Sequence, residues 1–279
     1  MKKTLLIPTD FSKNAWDAIL YASELFKDEV CYFYFLNVYN FPGYVVDSAF
    51  VNMPSSEVCK EFEELSKKKL KETIEAVNFR FKNSKHNYYS VSEKNSLFYA
   101  VQEFVNKNQV NFIIMGTKGD TNSPDIIYGS NTVDIMENIT QCTVLTIPEI
   151  VKYSQPKEIV FSTDFKEIEH LNKLDDMIDI AKKNEAKIFV VHVNNGNEIN
   201  KDQQANKDRL ESYLEGVDYQ IRILNNQSLF QALQCFVQSR DSDMVVFFSK
   251  KHGILKNIFS APLVKSIGQR SKIPVLVLH

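Results

Sequence analysis

The stretch Phe112 to Thr132, FIIMGTKGDTNSPDIIYGSNT, carries the residues best suited to hold an anion. A short apolar run, Phe112 to Met115, breaks at Gly116. Two residues separate Gly116 from Gly119, and nine separate Gly119 from Gly129, which directly precedes Ser130. From Asn131 and Thr132 onward, Val133, Ile135, Met136 and Ile139 fall at near-helical spacing. A buried strand that turns through glycines into a helix start brings backbone N–H groups and the positive end of the helix dipole to one place. Glycine there allows positive φ and close approach of the backbone to a ligand. The chemistry is therefore amide donation to phosphate oxygens, with Gly116, Gly119, Gly129 and Ser130 as the cradle. The chain has only eight glycines, and three fall in this loop. The bland alternative is a plain strand-to-helix crossover. Lys118 reads as a solvated loop lysine. The insert DTNSPDIIY carries Asp120 and Asp125, which either repel phosphate or help to hold a divalent ion; the residue types leave both open.

No catalytic residue and no metal ligand is assigned. The sequence has neither an HIGH-type nor an SGGxDS-type adenylation motif. Its five histidines (His86, His170, His192, His252, His279) lack metal-ligand spacing. His192, inside the apolar run Phe189 to Val193, reads as a satisfied strand histidine. Four cysteines, Cys31, Cys59, Cys142 and Cys235, form no C-x-x-C and read as reduced, mostly buried thiols of a cytoplasmic protein. A formal net charge of -2 gives no footprint for nucleic acid, and no stretch approaches the roughly 20 apolar residues that span a membrane. The opening MKKTLLIPTDF has too short an apolar run for a signal peptide.

The elements that must position the loop alternate between strand and helix. Thr4 to Ile7 is a short strand ended by Pro8-Thr9-Asp10, and Ala15 to Phe26 is an amphipathic helix. Cys31 to Val38 is a buried strand, and Asn40 to Pro54 is loop-like. A long helix then runs from Ser55 or Ser56 to about Val77. Tyr88 to Val91 is a strand, Leu97 to Asn106 a helix capped by Ser96, and Thr143 to Ile147 a last strand. This alternation predicts an α/β fold, a five-stranded parallel sheet with helices on both faces.

The pattern then repeats. Ile159-Val-Phe-Ser-Thr-Asp164-Phe echoes Leu5-Leu-Ile-Pro-Thr-Asp10-Phe at an offset of 154. SLFQALQCFV, from Ser228, matches SLFYAVQEFV, from Ser96, at seven of ten residues, and Pro274 to Leu278 echoes Thr143 to Ile147. Two copies of one fold follow: residues 1–149 and 156–279, joined by the polar linker 150–155. In the second copy Phe248, Lys251, Ser260 and Ala261 stand opposite Gly116, Gly119, Gly129 and Ser130. Its cradle is therefore absent although Asp164 keeps the aspartate. Lys250, Lys251 and His252 form a small basic cluster, read as a solvated patch, and the second copy reads as structural or regulatory.

The spacing G-2x-G-9x-G-S, the Thr-Asp-Phe strand ends and the closing CTVLTIP and IPVLVLH strands resemble the universal stress protein family, in a tandem form. The resemblance implies a Rossmann-like fold of the adenine nucleotide alpha hydrolase kind. It implies ATP, with or without Mg2+, as ligand of the first copy. Asp10, flanked by Pro8 and Thr9, would sit by the adenine and ribose; the competing reading is that Asp10 only caps the next helix. Val38 would offer backbone groups to the base, and Met115 closes the strand that enters the cradle. The resemblance also implies a stress-linked regulator, hydrolysing ATP slowly at most. The alternatives are a nucleotide-independent scaffold for protein partners and a genuine ATPase. The last strands of the two copies are expected to pair antiparallel as an intrachain pseudo-dimer, with a homodimer also open.

Overall fold

The computed structural model describes residues 2–39, 56–119, 128–149, 151–166, 171–194, 196, 199–225, 228–249 and 273–279. The first copy runs β1 (Lys2–Pro8), α1 (Lys13–Leu25), β2 (Val30–Val38), α2 (Ser56–Phe81), β3 (His86–Glu93), α3 (Leu97–Lys107), β4 (Phe112–Gly116), α4 (Ser130–Asn138) and β5 (Thr143–Ile147). The second runs β6 (Glu158–Ser162), α5 (Asp175–Asn184), β7 (Lys187–Asn194), α6 (Lys201–Tyr213), β8 (Tyr219–Asn225), α7 (Leu229–Arg240), β9 (Met244–Phe248) and β10 (Val275–Leu278), with a short 3-10 turn at Leu171–Leu174.

The ten strands form one sheet in the order β3-β2-β1-β4-β5-β10-β9-β6-β7-β8, so each half mirrors the other. Within each half the strands are parallel, and among the described residues the one antiparallel pair is β5 with β10, in register Val275↔Thr146, Leu276↔Leu145 and Val277↔Val144. Val144, Leu145, Val275, Leu276 and Val277 are all fully buried there. Either strand alone would be an apolar edge open to association, and each closes the other. The expected pseudo-dimer is thus the observed seam. Two apolar layers cover the sheet, one built around Leu5, Phe33, Phe112, Phe161 and Leu276, the other around Leu6, Ile113, Val144, Val160 and Val275. Neighbouring residues of one strand serve opposite layers, as the two-residue period of a strand requires.

A charged cluster straddles the two copies beside the seam. The buried ammonium of Lys3 lies 3.8 Å from Glu29, 3.9 Å from Asp176 and 3.5 Å from Asp179, and Lys183 reaches Glu29 at 2.9 Å. Thr143 donates its hydroxyl to Asp176, whose carboxyl burial holds above the usual carboxylate range. The segment between β5 and β6 is tied down as well: the Tyr153 ring meets Tyr21 edge-on at 5.2 Å, and Gln155 donates to the Asn184 carbonyl at 3.1 Å.

Most element ends shift by one or two residues from the sequence expectation, and Ser96 stands at the N-cap of α3 without the side-chain hydrogen bond expected of it. The helix expected to end near Val77 continues to Phe81, whose side chain packs on the core, and the chain leaves it at Lys82 with φ 45°. The strand expected from Tyr88 starts at His86, because that ring is buried and bonds the Phe26 carbonyl at 3.1 Å and Asn83 at 3.2 Å. Of the four thiols only Cys31 and Cys142 are buried, Cys235 being exposed, so the expectation of mostly buried cysteines fails for the surface helix α7. Among the described residues no helix is long and apolar enough to cross a membrane.

Candidate functional site

In the first copy the strand order reverses between β1 and β4, and a crevice opens beyond their carboxyl ends, the usual ligand position in an open α/β sheet. Its first wall is the turn Thr9-Asp10-Phe11. Phe11 adopts φ 65°, a left-handed conformation that an aromatic residue takes only when its surroundings enforce it. Here two side chains do so: Thr9 Oγ1 accepts from the Phe11 amide at 3.0 Å, and Asp10 Oδ1 accepts from the Ser12 amide at 3.0 Å. Ser12, not Asp10, then caps α1 by accepting from the Ala15 amide at 3.2 Å. Asp10 is therefore not the cap of α1 but a turn residue whose second oxygen lies toward Gly119.

At Gly116 and Gly119 the absent side chain serves close packing rather than a positive φ. A Cβ on Gly116 would lie 2.6 Å from Asn14 Oδ1, and one on Gly119 would lie 2.5 Å from Asp10 Oδ2. Gly129, at φ -66°, has ordinary backbone geometry, and the nearest described atom to its Cβ would be 3.7 Å away. The positive φ expected of this loop is thus not what selects its glycines. Gly129 instead donates its amide to the Thr117 carbonyl at 2.8 Å and stands at the N-cap of α4 without a capping side chain. The first-turn amides of a helix have no partner inside it, so an anion is favoured at this end.

Asn14 is the hub that sequence reading missed. It is buried, donates Nδ2 to the Ile147 carbonyl at 3.0 Å, and accepts the Lys118 amide on Oδ1 at 3.2 Å. One amide side chain therefore links the glycine turn to the end of β5. Asn37 was missed too. It is buried at the end of β2, donates to the Thr9 carbonyl at 2.7 Å and accepts from Ser66 at 2.7 Å, which fixes the Thr9-Asp10 turn from behind. The available signal was an amide in an otherwise apolar frame. Lys118 is not solvated as expected: its side chain is 8% exposed and pairs with Glu149 at 3.6 Å. Tyr128, buried, hydrogen-bonds Thr146, whose hydroxyl donates to the Val275 carbonyl at 3.3 Å, so the loop also reaches the second copy's last strand.

Pro8, Thr9, Asp10, Val38, Met115, Gly116, Gly119, Asn131 and Thr132 all line one cleft of about 140 Å³, together with Asn37, Leu97 and Lys118. Gly129 and Ser130 stand at the start of α4, behind Thr132, whose hydroxyl donates to the Gly116 carbonyl at 3.2 Å. The cleft is smaller than the roughly 300–1,000 Å³ of pockets that enclose a whole ligand. Among the described residues no group of three or more His, Cys, Asp or Glu could hold a metal ion, and Asp120 and Asp125 lie outside the described residues.

The second copy makes the same turn. Phe165 has φ 57°, with Thr163 Oγ1 accepting its amide at 3.1 Å and Asp164 Oδ1 accepting that of Lys166 at 3.0 Å. His192 takes the place of Asn37: its Nδ1 donates to the Thr163 carbonyl at 3.1 Å, which puts a proton on that nitrogen. It is the satisfied strand histidine that the sequence indicates. Above the turn the copies part. Phe248 ends β9 where Gly116 ends β4, and its ring packs edge-on against Phe161 at 5.3 Å. From α6, Gln203 donates to the Asp164 carbonyl at 2.7 Å and Asn206 to that of Phe165 at 2.9 Å. Lys250, Lys251, His252, Ser260 and Ala261 lie outside the described residues.

A sequence profile of the universal stress protein family matches residues 1–148. A universal stress protein from Archaeoglobus fulgidus DSM 4304 has a similar structure, with 17% identity, a TM-score of 0.70, and coverage of 99% of this chain and 95% of that one. A putative universal stress protein from Pseudomonas aeruginosa UCBPP-PA14 aligns at 14% identity and a TM-score of 0.56, over 99% and 92% of the two chains. The cytoplasmic domain of a prokaryotic cation chloride cotransporter aligns at 10% identity and a TM-score of 0.53, over 99% and 95%. At such identities the structures speak for the fold alone. No curated protein matches the sequence.

Proposed function

The chain belongs to the universal stress protein family, and from that premise we propose that its first copy binds an adenine nucleotide, ATP foremost, as the ligand of a stress-response regulator. On this reading residues 1–149 are the binding domain and 156–279 a second domain that completes the seam without a cradle, joined through 150–155. Asp10 faces the sugar and base, the backbone at Val38 borders the base, and Gly116, Gly119 and the start of α4 receive the phosphates. The cleft seats part of such a ligand, and the rest extends beyond it.

The observation that carries the proposal is the cleft at the switch point, where Asp10, Gly116, Gly119 and Thr132 come from three separate segments to line one space beside the start of α4. The absent side chains at Gly116 and Gly119 let the turn after β4 pack closely on Asn14 and Asp10, which holds that space in shape. The helix end adds on the order of 0.3–1 kcal/mol for an anion at an exposed site. Cytoplasmic residence belongs to the same proposal, supported by four thiols that are all free.

Mass spectrometry of what copurifies with the intact chain tests it. An adenine nucleotide should accompany the protein, and its ultraviolet absorbance should disappear from the Gly116→Val variant. A clean protein that does not respond to added ATP, with or without Mg2+, would leave the scaffold as the better account.

A further inference from the structure

Lys118 is the one cationic side chain among the described residues that line the cleft, and the structure shows its charge already engaged. Its ammonium lies 3.6 Å from Glu149 Oε2, with the lysine side chain 8% and the glutamate side chain 25% exposed. Glu149 follows β5 by two residues and heads the packed segment that leads to β6. The root of Lys118 is fixed, since its amide donates to Asn14 Oδ1 at 3.2 Å. The backbone of Lys118 is thus anchored, and the ammonium is the end that the carboxylate holds.

A buried ammonium is held in place by a nearby anion, and a carboxylate and a phosphate oxygen are rivals for that role. The other charged residue lining the cleft, Asp10, has the same sign as Glu149. Resting on the nucleotide reading above, we propose that Lys118 distinguishes a phosphorylated ligand from a bare nucleoside, and that Glu149 competes with the phosphate for it. Binding hands the ammonium from Glu149 to the ligand and loosens the head of the segment between the copies. A ligand without phosphate leaves the pair in place.

Calorimetric titration of the full chain with ATP and with adenosine tests this, using the parent, Glu149→Gln, Lys118→Met and the double variant. Glu149→Gln should tighten ATP about five- to tenfold, while Lys118→Met should weaken it about tenfold, leaving adenosine within about twofold in both. In the Lys118→Met background Glu149→Gln should add nothing. Glu149→Asp, which shortens the reach of the carboxylate, should shift ATP in the same direction as the glutamine and serves if that variant melts early. A parent that binds ATP while Glu149→Gln and Glu149→Asp match it sinks this inference alone. Equal shifts for ATP and adenosine sink it as well, by making the pair merely structural. A parent that binds neither ligand overturns the nucleotide reading, and this inference with it.

Discussion

The two copies build the same strained turn with the same residue types, Thr9-Asp10-Phe11 and Thr163-Asp164-Phe165, and differ in what stands above it. In the first copy β4 ends on Gly116, and a cleft runs from Asp10 to the start of α4. In the second, β9 ends on Phe248, whose ring leans on Phe161, and α6 side chains tie down the turn's carbonyls. The lesson is that the turn belongs to the scaffold. It returns a strand to its helix and orients an aspartate, whether or not space for a ligand lies beside it. What differs beside it is the residue that ends the neighbouring strand, a glycine in one copy and a phenylalanine in the other.

The largest expected effect concerns what the copies share. Removing residues 274–279 takes away β10 and uncovers Val144 and Leu145 along β5. The shortened chain should lose more than about 4 kcal/mol and associate, as read by thermal melting and light scattering. A monomer with unchanged melting would mean that the seam does not hold the halves together. Next comes the difference between the strand ends. Gly116→Val should lower ATP affinity by more than about 100-fold, whereas Gly129→Ala should change it by no more than about threefold, because its nearest described neighbour would be 3.7 Å away. Equal losses in calorimetry would show that space is not what the glycines provide.

A smaller effect separates Pro148, after β5, from His279, after β10. Burial, with Lys173 adding to it, pushes the His279 imidazole down to about 4. The unfolded chain takes up that proton near pH 6.5 and the folded chain only near 4. The stabilisation is therefore complete above about pH 6.5 and is lost as pH falls through that window, on the order of 3 kcal/mol in all. His86, lowered by burial as well, acts in the same sense, so His279→Phe should flatten part of the slope in denaturation measured from pH 7 to 4. The smallest effect is at the matched hydrogen bond. His192→Asn should cost about 1 kcal/mol or less, since Asn37 makes the same bond to the equivalent threonine carbonyl. A much larger loss in urea titration would show that the imidazole has a role beyond that bond.

Much of this was legible in the chain. Glycine spacing pointed to the cleft and the repeat announced the second copy, because each of these is a local pattern. The edge apolarity of Val275 to Val277 was enough to expect the seam. The reason for the glycines was not legible, since it lies in Asn14 and Asp10, more than a hundred residues earlier in the sequence. Lys118 looked like a solvated lysine for the same cause: Glu149 and the walls of the cleft bury it, and neither is visible from the loop's own composition. Asn37 was hidden inside a strand whose pattern otherwise spoke only for burial.

The central claim is that one copy binds nucleotide and the other does not. Titration of the intact chain with ATP, followed by native mass spectrometry, tests it most directly. One nucleotide per chain, lost in Gly116→Val and retained in His192→Asn, is the result this account predicts. Two nucleotides per chain would show that the second copy binds despite Phe248, and a chain that stays empty at saturating ATP would contradict the claim altogether.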